Sequence, residues 1–171
     1  MKTEIRRFFP RAKNASFAFW LLAGLALVSQ PSIVLGTELP VAVDLRADAE
    51  QAAKIGGPLI VLYSRKDCKY CETVRRDYLK PLESHPRFRD KVIVRQVNQD
   101  SDAGLNDFRG EKTTQARFAG SEKIKLVPMV AFYGRDGKRL ADPIVGARLP
   151  DFYQSYLDDA IDQSIAKLKA R

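Results

Sequence analysis

Cysteine and histidine are scarce in this chain: 171 residues hold two cysteines and one histidine. Two cysteines are too few to staple a disulfide-dependent miniprotein, and a chain of this length can bury a core without such staples. A structural zinc site draws four protein ligands, mostly Cys and His. Cys68, Cys71 and His85 leave that set short, so no metal is expected. Haem attachment needs His directly after the second cysteine, and Glu72 stands there. Internal repeats and low-complexity tracts are absent. So is a cluster of basic charge interleaved with aromatic stacking positions, which argues against nucleic acid as a partner.

What is present begins at the N-terminus. Residues 1–13 are basic, residues 15–28 are apolar, and Ser29-Gln30-Pro31-Ser32 breaks the run ahead of Val34-Leu35-Gly36. That order reads as a secretory signal peptide over residues 1–36. The run is shorter than the roughly 20 apolar residues a spanning helix needs, although Ile33-Val34-Leu35 could extend it into an uncleaved anchor. Either outcome places residues 37–171 outside the cytoplasm, with the membrane touched only through that anchor. A periplasmic or similar compartment allows a cysteine pair to be kept oxidised or to be actively reduced. The formal charge is +8, and the first 36 residues contribute five basic residues against one acid. The remaining domain is mildly basic, as an ordinary solvated surface would be.

Residues 37–43 suit a linker or a short edge strand. Asp44 can cap a helix to about Ile55, which Gly56-Gly57 would end. Residues 58–63 form a continuous apolar run, the pattern of a strand buried on both faces. The two cysteines follow, and a helix from Glu72 to Ser84 would align Cys71, Val74, Tyr78 and Leu82, with Pro81 kinking or ending it. Residues 91–97 form a second strand. Residues 98–112 are polar and carry Gly104 and Gly110, an irregular excursion. Thr113 or Thr114 can cap a short helix containing Ala116, Phe118 and Ala119. Residues 129–133 form a third strand, Asp136-Gly137 centres a hairpin turn, and residues 139–145 would return antiparallel. From Leu149 onward, apolar residues recur at three- and four-residue spacing, with Pro150 at the first helical position and Lys167, Lys169 and Arg171 at the far end. Strands alternating with helices, closed by a hairpin and a helix, imply an α/β fold with a mixed central sheet flanked by helices.

The chemistry concentrates at Cys68-Lys69-Tyr70-Cys71. Residues three apart at the start of a helix bring their Cα atoms within the roughly 4.4–6.8 Å that a disulfide requires. Cys68 would sit at the helix N-terminus, where unpaired N–H groups and the dipole favour a thiolate. Arg65, Lys66 and Lys69 push the same way, and Asp67 opposes them. Cys71 lies one turn inward and is the natural resolving thiol. A plain stabilising disulfide is the alternative, but a bridge closing so short a loop removes little chain entropy. His85 precedes Pro86 at a helix end and reads as a surface residue. Val127-Pro128, at the start of an apolar strand, can be simple turn punctuation.

The Cys-x-x-Cys at a strand-to-helix junction and the later Val127-Pro128 together resemble the thioredoxin superfamily over roughly residues 40–170. The arrangement is similar to periplasmic thioredoxin-like proteins, including those linked to sulfur oxidation and cytochrome c maturation, which also carry a polar excursion before the proline strand. The resemblance implies a thioredoxin-like fold and a cis-proline at Pro128. It also implies that the Val127 backbone pairs with an extended substrate. Gly146 and the helix after it look like the family's closing glycine and final helix. The inner dipeptide, Lys69-Tyr70, stands where the family tunes its redox potential, and its Tyr-Cys ending is similar to that of bacterial disulfide isomerases. Thioredoxin itself has Trp-Cys-Gly-Pro-Cys, and a buried Asp six residues before the first cysteine, where this chain has Leu62.

The expected function is thiol–disulfide exchange on exported proteins. Cys68 attacks, Cys71 resolves and Val127-Pro128 positions the substrate. No dissociable cofactor is required, and a membrane electron donor would keep the pair reduced. An oxidase or isomerase role, or a binding or chaperone module with an idle cysteine pair, are the alternatives.

Overall fold

The fold is built around β1 (Leu59–Ser64), all six of whose residues are buried. A strand without a polar face has to lie inside a sheet covered on both sides. In the computed structural model, which describes residues 38–147 and 150–170, β1 does so. It pairs in parallel with β2 (Ile93–Asn98) and antiparallel with β5 (Met129–Tyr133), and β5 pairs antiparallel with β6 (Ile144–Val145). The order across this mixed sheet is β2-β1-β5-β6. The segment 1–36, read above as a signal or anchor, lies outside the described residues. Among those residues, no helix is long and apolar enough to cross a membrane.

Alternation along β1 sends side chains to two cores. Ile60 and Leu62 pack with Val94, Val130 and Phe132 beneath the cysteine helix and α4 (Pro150–Lys169). Leu59, Val61 and Tyr63 pack on the other face with α1 (Leu45–Lys54) and α3 (Gln115–Ser121). The result is the expected mixed sheet between two helical layers.

Local chemistry fixes the helices. The Asp44 carboxylate accepts the Ala47 N–H at 2.8 Å and so caps α1. Gly57 follows the end of α1 at a point where a Cβ would fall 1.5 Å from the Lys91 carbonyl oxygen, so a side chain has no room there. Thr114 caps α3 through the Arg117 N–H.

The cysteine helix differs from expectation in its winding. It starts as α2 (Lys69–Thr73), widens into a π turn over Val74–Leu79 and tightens into a 3-10 turn over Lys80–Glu83. Pro81 explains the change: its ring would meet the Asp77 carbonyl in a regular helix. The Lys80 N–H reaches back to the Arg75 carbonyl instead, one residue beyond the α-helical partner. The wider turn rotates the buried face, so Arg75 and Leu79 join Val74 inside.

Two further segments correct the reading from sequence. Residues 98–112 are not irregular. β3 (Gly104–Asn106) and β4 (Lys112–Thr114) form an antiparallel hairpin. The Asp107 carboxylate holds its turn by accepting the N–H groups of Arg109 and Glu111 at 2.8 and 2.9 Å. Leu105 is buried, and Phe108 packs against Tyr133 at 4.8 Å between ring centroids. The return strand after the Asp136-Gly137 turn is also shorter than expected. Tyr133 bridges Arg139, and regular pairing resumes only at Ile144, after Pro143, which has no N–H to give the ladder. Of the segment 37–43, the described residues from 38 onward do supply edge pairing: Ala42 N–H and Gln96 carbonyl bond at 2.8 Å, and Gln96 N–H and Pro40 carbonyl at 2.9 Å.

Candidate active site

The site forms where β1 runs out. After Ser64 the chain turns through Arg65, Lys66 and Asp67. Asp67 takes a left-handed conformation at φ 55°, which its short polar side chain tolerates. The Lys66 N–H donates to the Asp100 carboxylate at 2.9 Å, and the Gln99 N–H donates to the Ser64 carbonyl at 2.8 Å. These bonds tie the cysteine loop to the segment that follows β2.

Cys68 is the N-cap of α2, and its Sγ accepts the Cys71 N–H at 3.2 Å. Donation from the first helical turn favours electron density on that sulfur. Cys68 and Cys71 are joined as a disulfide, with S–S 2.02 Å and Cα–Cα 5.2 Å. Their exposures differ. Cys71 is fully buried, whereas Cys68 is half-exposed and lines an open cavity of about 860 Å³. Lys69 and Tyr70 are both exposed, the Tyr70 ring 67% so.

The Val127-Pro128 peptide is cis. Met129 pairs with Tyr63, so the start of β5 lies beside the end of β1 that leads into the cysteine loop. Pro128 is buried, and its carbonyl accepts the Gly146 N–H at 2.7 Å. Val127 is half-buried and Leu126 beside it is 66% exposed. The structure therefore joins Cys68 and Cys71 directly and brings Val127-Pro128 to the same end of the sheet. His85 is exposed and stacks on Phe88, away from the pair.

Sequence reasoning missed the polar wall on the other flank. Arg75 is buried, one helical turn after Cys71. Its Nε donates to Gln96 Oε1 at 2.9 Å and its Nη1 donates to Glu38 at 3.0 Å and Glu72 at 2.5 Å. Gln96, also buried, passes a hydrogen bond on to Asn98 at 2.7 Å. Glu72, Arg75, Gln96 and Asn98 line the same cavity as Cys68. Two signals were available. Arg75 stands four residues after Cys71, on the same helical side, and Gln96 interrupts an otherwise apolar strand position.

The opposite face of the sheet carries a second polar group. The Tyr63 and Tyr133 hydroxyls bond at 2.7 Å, Tyr133 donates to Glu122 at 2.8 Å, and Arg139 reaches Glu122 at 3.4 Å. Burial raises both phenol pKa values well above the ordinary range. Under the cysteine helix, by contrast, Leu62 is buried in a cluster of aliphatic and aromatic side chains, and Leu62 itself stands where an acid could have been. Among the described residues, no group of three His, Cys, Asp or Glu side chains is placed to hold a metal.

Residues 45–161 match the family described as a thioredoxin-like domain. The chain belongs to the thioredoxin-like family. One solved structure agrees on the fold, and two further ones are similar to a lesser degree. The chain is similar to thioredoxin from Fasciola hepatica at 16% identity and TM-score 0.51, covering 74% of this chain and 99% of that one. It is also similar to a thioredoxin-fold protein from Helicobacter pylori (18% identity, 67% and 81% covered, TM-score 0.47). A third is mitochondrial thioredoxin 3 of Saccharomyces cerevisiae, with 14% identity, 72% and 93% covered, and TM-score 0.48. No curated protein matches the chain. With the family's domain and a Cys-x-x-Cys that forms a disulfide, the protein is a thiol–disulfide oxidoreductase.

Proposed function

We propose that this oxidoreductase works outside the cytoplasm and reduces disulfides of exported proteins. In this reading Cys68 is the nucleophile and Cys71 the resolving thiol. The observation that carries the division of labour is the exposure of the pair: Cys68 lines an open cavity and Cys71 is fully buried. A substrate sulfur can reach only the first. The Cys68 thiolate attacks the substrate disulfide, and Cys71 then attacks Cys68 Sγ, releasing the second substrate thiol and closing the 68–71 bond.

Val127 and Pro128 border the pair from the β5 side, where the backbone of an extended substrate would pair with Val127. Lys69 and Tyr70 face solvent and set the potential and the approach surface. The cysteine pair carries the electrons, so no dissociable cofactor is needed. Residues 1–36 act as the export signal or as a membrane anchor. A membrane dithiol donor returns the pair to its reduced form.

Insulin reduction by dithiothreitol, comparing the parent with Cys68→Ser, tests the activity. The parent accelerates turbidity and the variant does not; equal behaviour reduces the domain to a binding module. The reduction potential tests direction. A value near about −270 mV fits a reductant, and one near about −120 mV makes the protein an oxidant.

A further inference from the structure

The cavity beside Cys68 has two rims of opposite charge. Arg65, Lys66 and Lys69 outnumber Asp67 on the cysteine loop, and Asp100 and Asp102 stand on the segment after β2. The rims meet where the Lys66 N–H donates to Asp100. The Lys66 and Lys69 ammonium groups and the Asp102 carboxylate face solvent without an ion pair among the described residues. Gln96 and the Arg75–Glu72 pair form the polar inner wall. Arg75 uses Nε and Nη1 in that network, and its Nη2 donates no hydrogen bond among the described residues. The cavity, at about 860 Å³, is of a size that takes small molecules. It lies on the β2 side of the pair, whereas Val127-Pro128 borders the pair from β5.

From this arrangement we infer that the cavity binds a low-molecular-weight zwitterionic disulfide of the cystine or glutathione disulfide class and presents its sulfur to Cys68. The inference rests on the exchange activity and names a substrate class for it. An amino-acid carboxylate meets Lys66, Lys69 and the free Nη2 of Arg75. Its ammonium group meets Asp102. A residue inside a polypeptide lacks both charges, so the cavity favours the small molecule over a protein segment. The step balances without a further reactant once a dithiol such as dithiothreitol has reduced the pair. The Cys68 thiolate displaces one small thiolate, which takes up a proton. Cys71 gives up its proton and attacks Cys68 Sγ, and the second small thiol leaves. The small disulfide gains two electrons and the protein disulfide reforms.

The test is a single-turnover rate measurement on the full chain, reduced with dithiothreitol and desalted. Four disulfides are compared: cystine, cystamine, dithiodiglycolate and uncharged 2-hydroxyethyl disulfide. Two complementary surface contacts predict about a tenfold preference for cystine over hydroxyethyl disulfide, and about a threefold preference over cystamine and dithiodiglycolate, which each keep one contact. The triple variant Lys66→Gln, Lys69→Gln, Asp102→Asn leaves Arg75 Nη2 as the one remaining contact and brings the ratio of cystine to hydroxyethyl disulfide rates down toward one. Taking the ratio within each variant removes any change in Cys68 thiolate content. Equal rates for cystine and hydroxyethyl disulfide in the parent overturn the inference and leave the exchange activity standing. So does a preference for dithiodiglycolate, which would reflect positive charge alone, or a cystine preference that the triple variant leaves undiminished. Inertness toward all four overturns the inference, and the exchange reading falls with it only if insulin reduction fails as well.

Discussion

The two faces of β1 have opposite chemistry. Ile60 and Leu62 look toward the cysteine helix into a layer of aliphatic and aromatic side chains, Tyr153 among them, whereas Tyr63 looks the other way into a hydroxyl–carboxylate–guanidinium network. Polarity near the disulfide therefore arrives from the side, through Arg75 and Gln96, and not from beneath. Cys71 is buried, and the cluster that holds Leu62 offers no acid to take its proton. The groups that can accept that proton stand at the cavity wall or in the solvent that fills it.

The comparison can be broken most forcefully at Leu62. Leu62→Asp sets an unpaired carboxylate on the aliphatic face and costs about 4 kcal/mol at pH 7, read by urea unfolding. Burial raises the folded pKa of that carboxylate above its unfolded value. The penalty therefore shrinks as pH falls toward the unfolded value and the folded group takes up its proton. A cost below about 1 kcal/mol at pH 7 would show that the face is wet.

Next comes the lateral wall. Arg75→Met strips the partner from Gln96, Glu72 and Glu38 and costs about 2 kcal/mol, held below a fully buried pair because both carboxylates reach solvent. Arg75→Lys, which keeps the charge and loses the fork, recovers only part of that.

On the tyrosine face, Tyr133→Phe leaves the Tyr63 hydroxyl and the Glu122 carboxylate without their shared partner and costs about 1.5 kcal/mol. Tyr63→Phe leaves the Tyr133 to Glu122 bond in place and costs less. Equal costs would mean that the network is not a chain.

The smallest effect is at Asp44, which caps the helix on the tyrosine face. Asp44→Ala costs about 1 kcal/mol at neutral pH. The bond from the Ala47 N–H, then that from Asn106, holds the Asp44 carboxyl below the ordinary carboxylate value. A lowered folded pKa gives stability that is present above the unfolded value and lost as pH falls through the folded one. The difference between parent and variant, measured by thermal unfolding, is therefore larger at pH 7 than at pH 2.

Much of this architecture was legible because its signals are local. The unbroken apolar run of β1, the Asp44 cap, the Cys-x-x-Cys at a strand end and the spacing of α4 each carry their meaning within a few residues. What escaped is too short to show a pattern, turns on local helix geometry, or depends on partners distant in sequence. The β3–β4 hairpin has three-residue strands with Leu105 as its one buried side chain, too short for alternation to register. The π turn follows from the placement of Pro81 against a carbonyl four residues back. Arg75 reads as an ordinary surface cation until Glu38 and Gln96 converge on it from other elements.

The central claim is that the exposed Cys68 attacks and the buried Cys71 resolves. Trapping reads it directly: reduced Cys71→Ser and Cys68→Ser proteins are mixed with a disulfide-containing protein such as insulin, quenched with acid and run on a non-reducing gel. Cys71→Ser accumulates a mixed disulfide through Cys68, and Cys68→Ser yields none. An adduct of comparable yield through Cys71 in the Cys68→Ser protein would contradict the account.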